Sequence, residues 1–432
     1  MTDVRAIPGT GQLPGRDGLR ALWAVRHGMA GLYEALELAR DRLGEAFQLG
    51  FGRFQPVVIS GPEALHEALV ERRGSLSWRS EGDPVARLFG RSILVTDGEE
   101  HDRARAVMAP AFTPERLRAH VPAMIEAVDR ELARWPREGR IEVVSAMRRI
   151  AWRNFERAFF GHDLGDDELR RLWPALLAAL RYIGPGPWVV TGRTGDPPEK
   201  IFPLEEHLLG LIRTRRAGGS TAEDLLGLLV GAFEDDRRVR DHALTMLIAG
   251  HDTSTAQLSW ALHLLARSPG WLARATREVR SAPGNGGMPG AGADLPVVEA
   301  VLKEALRLWP PIHLGARRAT EDVVLGGWPV PRGSRVLLSY FLVQRDPARW
   351  ERAGEFDPGR WLGGGAPGAF TYLPFGGGPR NCIGAGFANL EGRIVLARLL
   401  QRVDFAVTRR PLRGAMGATL EPRGGKLLVR VR

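Results

Sequence analysis

The sequence predicts a mainly α protein with a small β region, and three observations carry that prediction. Long segments space their apolar residues at helical intervals. The longest, Asp236 to Arg267, spans about 48 Å as one helix at about 1.5 Å per residue. Strand-like patterns are short and fall in two stretches, roughly 45–75 and 312–345. No internal repeat and no separating linker interrupts the 432 residues, so a single domain over 1–432 is expected, helical outside those two stretches.

The first fifty residues open on Pro and Gly punctuation, then turn helical from about Ala30 to Leu43. "QPVVIS" (Gln55–Ser60) reads as a buried strand, and Pro62 as a helix start. Amphipathic helices are expected over Pro114–Ala133, Ile141–Phe160 and Asp166–Tyr182. "YIGPGPWVVTGRTGDPPEK" (Tyr182–Lys200) and "APGNGGMPGAGAD" (Ala282–Asp294) read as loops from their Gly and Pro content. "LPVVEAVLKEALRL" is the helix after the second loop. "DVVLGGWPVPRGSRVLLSY" (Asp322–Tyr340) reads as short strands and turns. A final helix, about Ala385 to Arg402, precedes a C-terminal hairpin.

Hydrophobic residues make up 44% of the chain and charged residues 25%, which excludes a disordered chain. Cys382 is the only cysteine. It excludes an intramolecular disulfide, a Cys-ligated iron–sulfur cluster and a Cys-rich zinc site, and it fits a reducing cytoplasm. No secretory leader and no long apolar run appears, so a soluble, unanchored protein is expected. The net charge is +10, nearly all of it arginine, since Lys200, Lys303 and Lys426 are the only lysines. The arginines are spread along the chain rather than gathered into a tail or an aromatic-interleaved patch. Nucleic-acid binding is therefore not expected. The basic balance is either compositional or suited to an acidic protein partner.

Four short stretches carry chemistry. "FGGGPRNCIGAG" (Phe375–Gly386) surrounds Cys382 with five glycines, and a helix starts just after it. Free N–H groups and the positive dipole end of that helix favour a thiolate, open to act as nucleophile or metal ligand. No histidine lies near in sequence to serve as a base, and neither phosphate-binding glycine spacing occurs, which leaves the ligand reading, with Arg380 available to an anionic group. "AGHDTS" (Ala249–Ser254) puts Gly250 and Asp252 inside an apolar helix. Gly costs about 1 kcal/mol there relative to Ala, and a buried Asp without partners costs more. An ordinary helix crossing explains this as well as a site where a ligand comes close to Gly250 and Thr253 and Asp252 deliver protons. In "EALR", Glu304 and Arg307 share a helix face beside Leu302, Leu306, Leu308 and Trp309. A buried pair needs further partners, and Arg360 in "FDPGRW" (Phe356–Trp361) offers one.

Together these stretches match F-x-x-G-x-R-x-C-x-G, [AG]-G-x-[DE]-T-[ST], E-x-x-R and F-x-P-x-R-[FW], in that family's order along the chain. The sequence resembles cytochrome P450, the haem-thiolate monooxygenases, over essentially its whole length. "DGEEHDRAR" and "RRATEDVVLGGWPVPRG" resemble the family's third-helix and small-sheet segments. The resemblance implies the family's triangular helical prism with small sheets, with haem b between the long central helix and the cysteine-loop helix. It implies that Cys382 ligates the haem iron as thiolate and that Phe375 packs beside the sulfur loop. His101, Arg105, Arg317 and Arg380 would pair with the propionates. Thr253 would hold dioxygen or its water, Asp252 would relay protons, and Ala249 and Gly250 would lie over the haem face. Glu304, Arg307 and Arg360 would form a structural triad.

The implied reaction splits dioxygen with two electrons and two protons, and inserts one atom into a C–H or C=C bond. No fused reductase is expected, so electrons come from a separate ferredoxin or flavodoxin and an NAD(P)H reductase. A cytoplasmic monomer without membrane anchor resembles the bacterial members. "GGGPRN" departs from many of these, which carry a His in that run, and is closer to the membrane-type or fatty-acid-oxidising branch. Substrate contacts are expected from Trp78, Phe89, Trp188, Ile312, His313, Leu314 and Met416. They suit a hydrophobic small molecule, a terpenoid or other secondary metabolite, with a fatty acid as the runner-up. A peroxide-driven enzyme and a non-enzymatic haem sensor are the competing readings, and the Asp252–Thr253 pair argues against both.

Overall fold

A computed structural model describes residues 6–432, apart from 14–15, 18–31, 51–54, 79–81, 186–193, 219–223, 283–293, 410–412 and 424. The helices that shape the molecule are α1 (Leu32–Leu43), α2 (Gly98–Met108), α3 (Val121–Leu132), α4 (Val143–Phe159), α5 (Asp166–Ile183), α6 (Phe202–Ala217), α7 (Asp236–Arg267), α8 (Pro296–Leu308) and α9 (Ala385–Arg402). Shorter helical turns lie between them.

α7 is the long element read from the sequence. The Asp235 side chain accepts the Arg237 N–H and caps it. Residues on nearly every face of it are buried, which marks a helix packed on all sides. Leu244, Leu247, Leu258 and Trp260 are each fully buried. α7 packs along α4 and against α6, α8 and α9. One apolar core lies around α2, α4, α5 and the first half of α7. A second joins α3, α8, α9 and the second half of α7.

The main sheet draws its strands from two distant stretches, in the order β1 (Ala46–Gln48), β2 (Val57–Ile59), β8 (Arg335–Ser339), β5 (Leu314–Ala319), β3 (Leu76–Ser77). β2 and β8 run parallel, with Val57 beside Val336, and the other pairs are antiparallel. β6 (Val323–Leu325) and β7 (Trp328–Val330) form a separate hairpin.

Three details differ from the sequence expectation. The helix expected over Pro114–Ala133 breaks at His120 into Pro114–Ala119 and α3. Ile141 belongs to a strand, β4 (Glu138–Glu142), and the Glu142 carboxylate caps α4 by accepting the Val144 and Ser145 N–H groups. The chain end is more than a hairpin. β10 (Gly414–Met416) and β11 (Leu420–Pro422) form one, but β12 (Lys426–Val431) pairs with β4 and with β9 (Val403–Phe405). Leu427 and Val429 alternate inward on β12, so Ile141 gains a buried neighbour 286 positions away in the chain, opposite Leu427.

Candidate active site

The cysteine loop, α7, α2, β5 and the β10–β11 turn enclose a mostly apolar cavity of about 1100 Å³. Small-molecule pockets hold roughly 300–1,000 Å³. There is room for a flat prosthetic group beside a substrate.

Cys382 faces this cavity. Its N–H donates to the Phe375 carbonyl at 2.8 Å, closing the loop over the turn Gly378–Arg380. Gly378 has φ +68, and a Cβ there would lie 2.3 Å from the Leu69 carbonyl oxygen. The glycine therefore admits the 67–71 segment as well as any group in the cavity. The Gly384 N–H and Arg105 lower the thiol pKa as expected, but burial outweighs both and pushes it up. A thiolate at this place needs a stronger cation, and a bound metal ion supplies one.

α7 forms the facing wall with Ala249, Gly250, Asp252 and Thr253. Thr253 Oγ1 donates back to the Ala249 carbonyl at 2.8 Å. A Cβ on Gly250 would lie 2.3 Å from the ring of Phe155 on α4. That glycine makes room for a core aromatic, a reason the sequence reading did not find. Asp252 is 2% exposed, and both its carboxylate oxygens are engaged. Oδ1 accepts from Arg148 at 3.0 Å and Oδ2 accepts from Thr419 Oγ1 at 2.8 Å. Arg148 also bonds Glu421. Burial and the Asp252 charge raise the Glu421 pKa to about 7. Arg148, Thr419 and Glu421 were not singled out from sequence. Their only local signal is an arginine on the inner face of α4 and a polar pair in a hairpin.

One edge of the cavity carries cations. His101, Arg105, Arg317 and Arg380 all line it. Arg105 ties α2 to the cysteine loop by donating to the Asn381 carbonyl at 2.8 Å and to its side-chain oxygen at 2.7 Å. His101 Nδ1 meets Asp102 at 2.8 Å, and burial lowers its pKa. Arg380 pairs with Asp97 at 3.0 Å and donates to the Thr96 carbonyl. Trp78, expected from sequence as a substrate contact, lines the cavity at this edge. Arg317 lies 3.4 Å and Arg380 4.7 Å from its ring centroid.

Phe89, Ile312, His313, Leu314 and Met416 line the apolar remainder. Burial lowers the His313 pKa to about 4, which keeps a neutral imidazole there. Trp188 lies outside the described residues.

Glu304, Arg307 and Arg360 meet behind the cysteine loop. Arg307 donates to both Glu304 oxygens at 2.8 Å, and Arg360 Nε adds a third bond at 3.0 Å. Trp361 Nε1 and the Asp357 N–H complete the carboxylate, each at 3.0 Å. Arg307 also donates to the Gln344, Ala353 and Glu355 carbonyls. Every charge in this buried knot has partners, as burial requires.

A cavity thiol at a glycine-turned loop, a polar stretch on the helix across from it and arginines at one edge are the arrangement the sequence motifs led to expect. The comparisons agree. The family model "Cytochrome P450" matches residues 19–178 and 231–429. Cytochrome P450 138 of Mycobacterium tuberculosis is 31% identical over 85% of this chain and 84% of its own. A cytokinin hydroxylase of Arabidopsis thaliana is 27% identical over 85% and 77%. The crystal structure of the cytochrome P450DA heme domain superposes with a TM-score of 0.85, at 26% identity, over 99% of this chain and 98% of that one. The chain belongs to the cytochrome P450 family, oxidoreductases of the monooxygenase class that bind haem and iron. Its fold is the fold of that family. Among the described residues no helix is long and apolar enough to cross a membrane.

Proposed function

We propose that this protein hydroxylates or epoxidises a hydrophobic small molecule, a terpenoid or other secondary metabolite. Electrons come from a separate acidic ferredoxin or flavodoxin and its NAD(P)H reductase, in the cytoplasm. One observation carries the reading: the Cys382 thiol and the Ala249–Thr253 wall border the same apolar cavity, which His101, Arg105, Arg317 and Arg380 also line.

The residues fit haem. Cys382 would ligate the iron, and His101, Arg105, Arg317 and Arg380 would hold the propionates by charge-assisted bonds. The haem supplies dioxygen activation and oxygen insertion when bound. The rest falls to the chain. The apolar walls bind the substrate and exclude water. Thr253 Oγ1 keeps its acceptor lone pairs toward the cavity while donating to Ala249. Asp252 would relay protons while Arg148 and Thr419 hold its carboxylate in place, since each oxygen accepts one bond and keeps a further lone pair. Glu421, with its pKa near 7, stands behind Arg148 as the next proton donor.

The test is a spin-state screen of terpenoids and fatty acids against the haem-loaded protein, followed by turnover of the hits. Turnover uses a ferredoxin, its reductase, NADPH and isotopically labelled dioxygen. One labelled oxygen per product is expected. Product with hydrogen peroxide but none with the ferredoxin system overturns the reading.

A further inference from the structure

A second group of ligating side chains lies away from the cavity, where α4, α5 and α6 meet. Among the described residues, Glu156, His162 and His207 bring one donor atom each within 4.8 Å of one another. Glu156 is on α4, His162 in the turn after it and His207 on α6. The His162 N–H donates to the Glu156 carbonyl at 3.2 Å, so the chain doubles back and sets the imidazole over the carboxylate. His207 Nε2 is 3.0 Å and His162 Nε2 3.8 Å from Glu156 Oε2. A tetrahedral ion with bonds near 2.1 Å holds its donors about 3.4 Å apart. The observed separations bracket that value.

The atoms behind the donors are independent of this spacing and point the same way. Glu156 Oε1 accepts the Trp152 indole N–H at 2.7 Å, which fixes the carboxylate, and His207 Nε2 lies 3.2 Å from Oε1 and 3.0 Å from Oε2. His207 Nδ1 meets Glu168 Oε1 at 3.2 Å, which fixes the ring and leaves Nε2 inward. Metal-binding carboxylates and histidines are oriented in this manner by their outer partners. Glu156 is 0% exposed, while the His162 side chain is 27% exposed and offers an entry path.

We propose that Glu156, His162 and His207 bind a zinc-class divalent cation that ties α4, α5 and α6 together. Imidazole and carboxylate donors suit zinc. On binding, the proton on His207 Nε2 leaves and Nδ1–H stays on Glu168. His162 Nε2 releases to solvent the proton it shares with Glu168 Oε2 at 2.7 Å and turns its lone pair to the ion, the ring's other proton staying on Nδ1. A water fills the fourth position. α5 ends at Ile183 in the cavity wall, so the clamp steadies one side of the substrate space.

The experiment uses haem-loaded protein free of a histidine tag, stripped with chelator and dialysed against zinc chloride. Bound zinc is read by mass spectrometry and unfolding by circular dichroism. One zinc per chain and a raised Tm are expected. His162→Ala changes a partly exposed side chain; it should keep the wild-type ferrous–CO spectrum and lose the Tm rise. Glu168→Gln should weaken zinc about 10–100-fold, as loss of an outer partner does. No stoichiometric zinc in the wild type, or equal zinc in His162→Ala, overturns the proposal.

Discussion

Cys382 is exposed to the cavity, where desolvation by the surrounding protein favours the neutral thiol while the Gly384 N–H and Arg105 favour the anion. The motif made this residue legible, but the balance of those influences depends on burial, which sequence does not display. Gly250 was legible as an oddity and not as a contact. Its neighbour Phe155 is 95 positions away and 1% exposed. Gly250→Ala gains about 1 kcal/mol of helix propensity and loses about 1–3 kcal/mol to overpacking. A net loss in urea unfolding is the expected outcome, because the Phe155 ring is held on all sides; a gain near 1 kcal/mol would show that it yields freely. Thr253→Ala should divert NAD(P)H electrons to hydrogen peroxide, lowering product per reductant several-fold with substrate affinity near normal. Unchanged coupling assigns the protons to another group. Asp252 was read correctly as buried, yet its partners Arg148 and Thr419 are 104 and 167 positions distant and left no local trace.

At the scale of elements, α7 matched its sequence boundaries because its periodicity runs uninterrupted for 32 residues. β4 did not, because its five residues gain strand character only from pairing with β12. The Glu304 knot joins α8 to the loop before the cysteine turn. Glu304→Gln leaves Arg307, itself 0% exposed, without its counter-charge. A loss of about 3–5 kcal/mol and poor haem retention are expected in chemical denaturation. Stability within 1 kcal/mol of wild type, on that same scale, would refute the knot as a brace. The junction of α4, α5 and α6 has a pH signature. Burial alone would lower the His207 pKa, but the bond to Glu156 and the charges of Glu156 and Glu168 raise it, against Arg171. His162 also faces this group. A raised folded pKa gives stability that is full below the unfolded value and is lost as pH rises through the folded one. In zinc-free buffer, wild type should exceed His207→Gln in unfolding free energy more at pH 6 than at pH 9. A difference independent of pH contradicts this charge assignment.

Across the whole molecule, four short motifs were enough to give the family: two of them line the cavity with Cys382 and with Ala249 to Thr253, and the other two supply the knot of Glu304, Arg307 and Arg360. The propionate-side cations were legible only through that resemblance. The contacts of Trp78 with Arg317 and Arg380 left no trace in the sequence, because they join three distant segments of the chain. The central claim is that Cys382, at the cavity face opposite Thr253, is the haem ligand. Its most direct measurement is the ferrous–CO absorption spectrum of the wild type and of Cys382→His at equal haem loading. The account predicts the red-shifted band of thiolate ligation in the wild type and its absence in Cys382→His. Survival of that band in Cys382→His would contradict it.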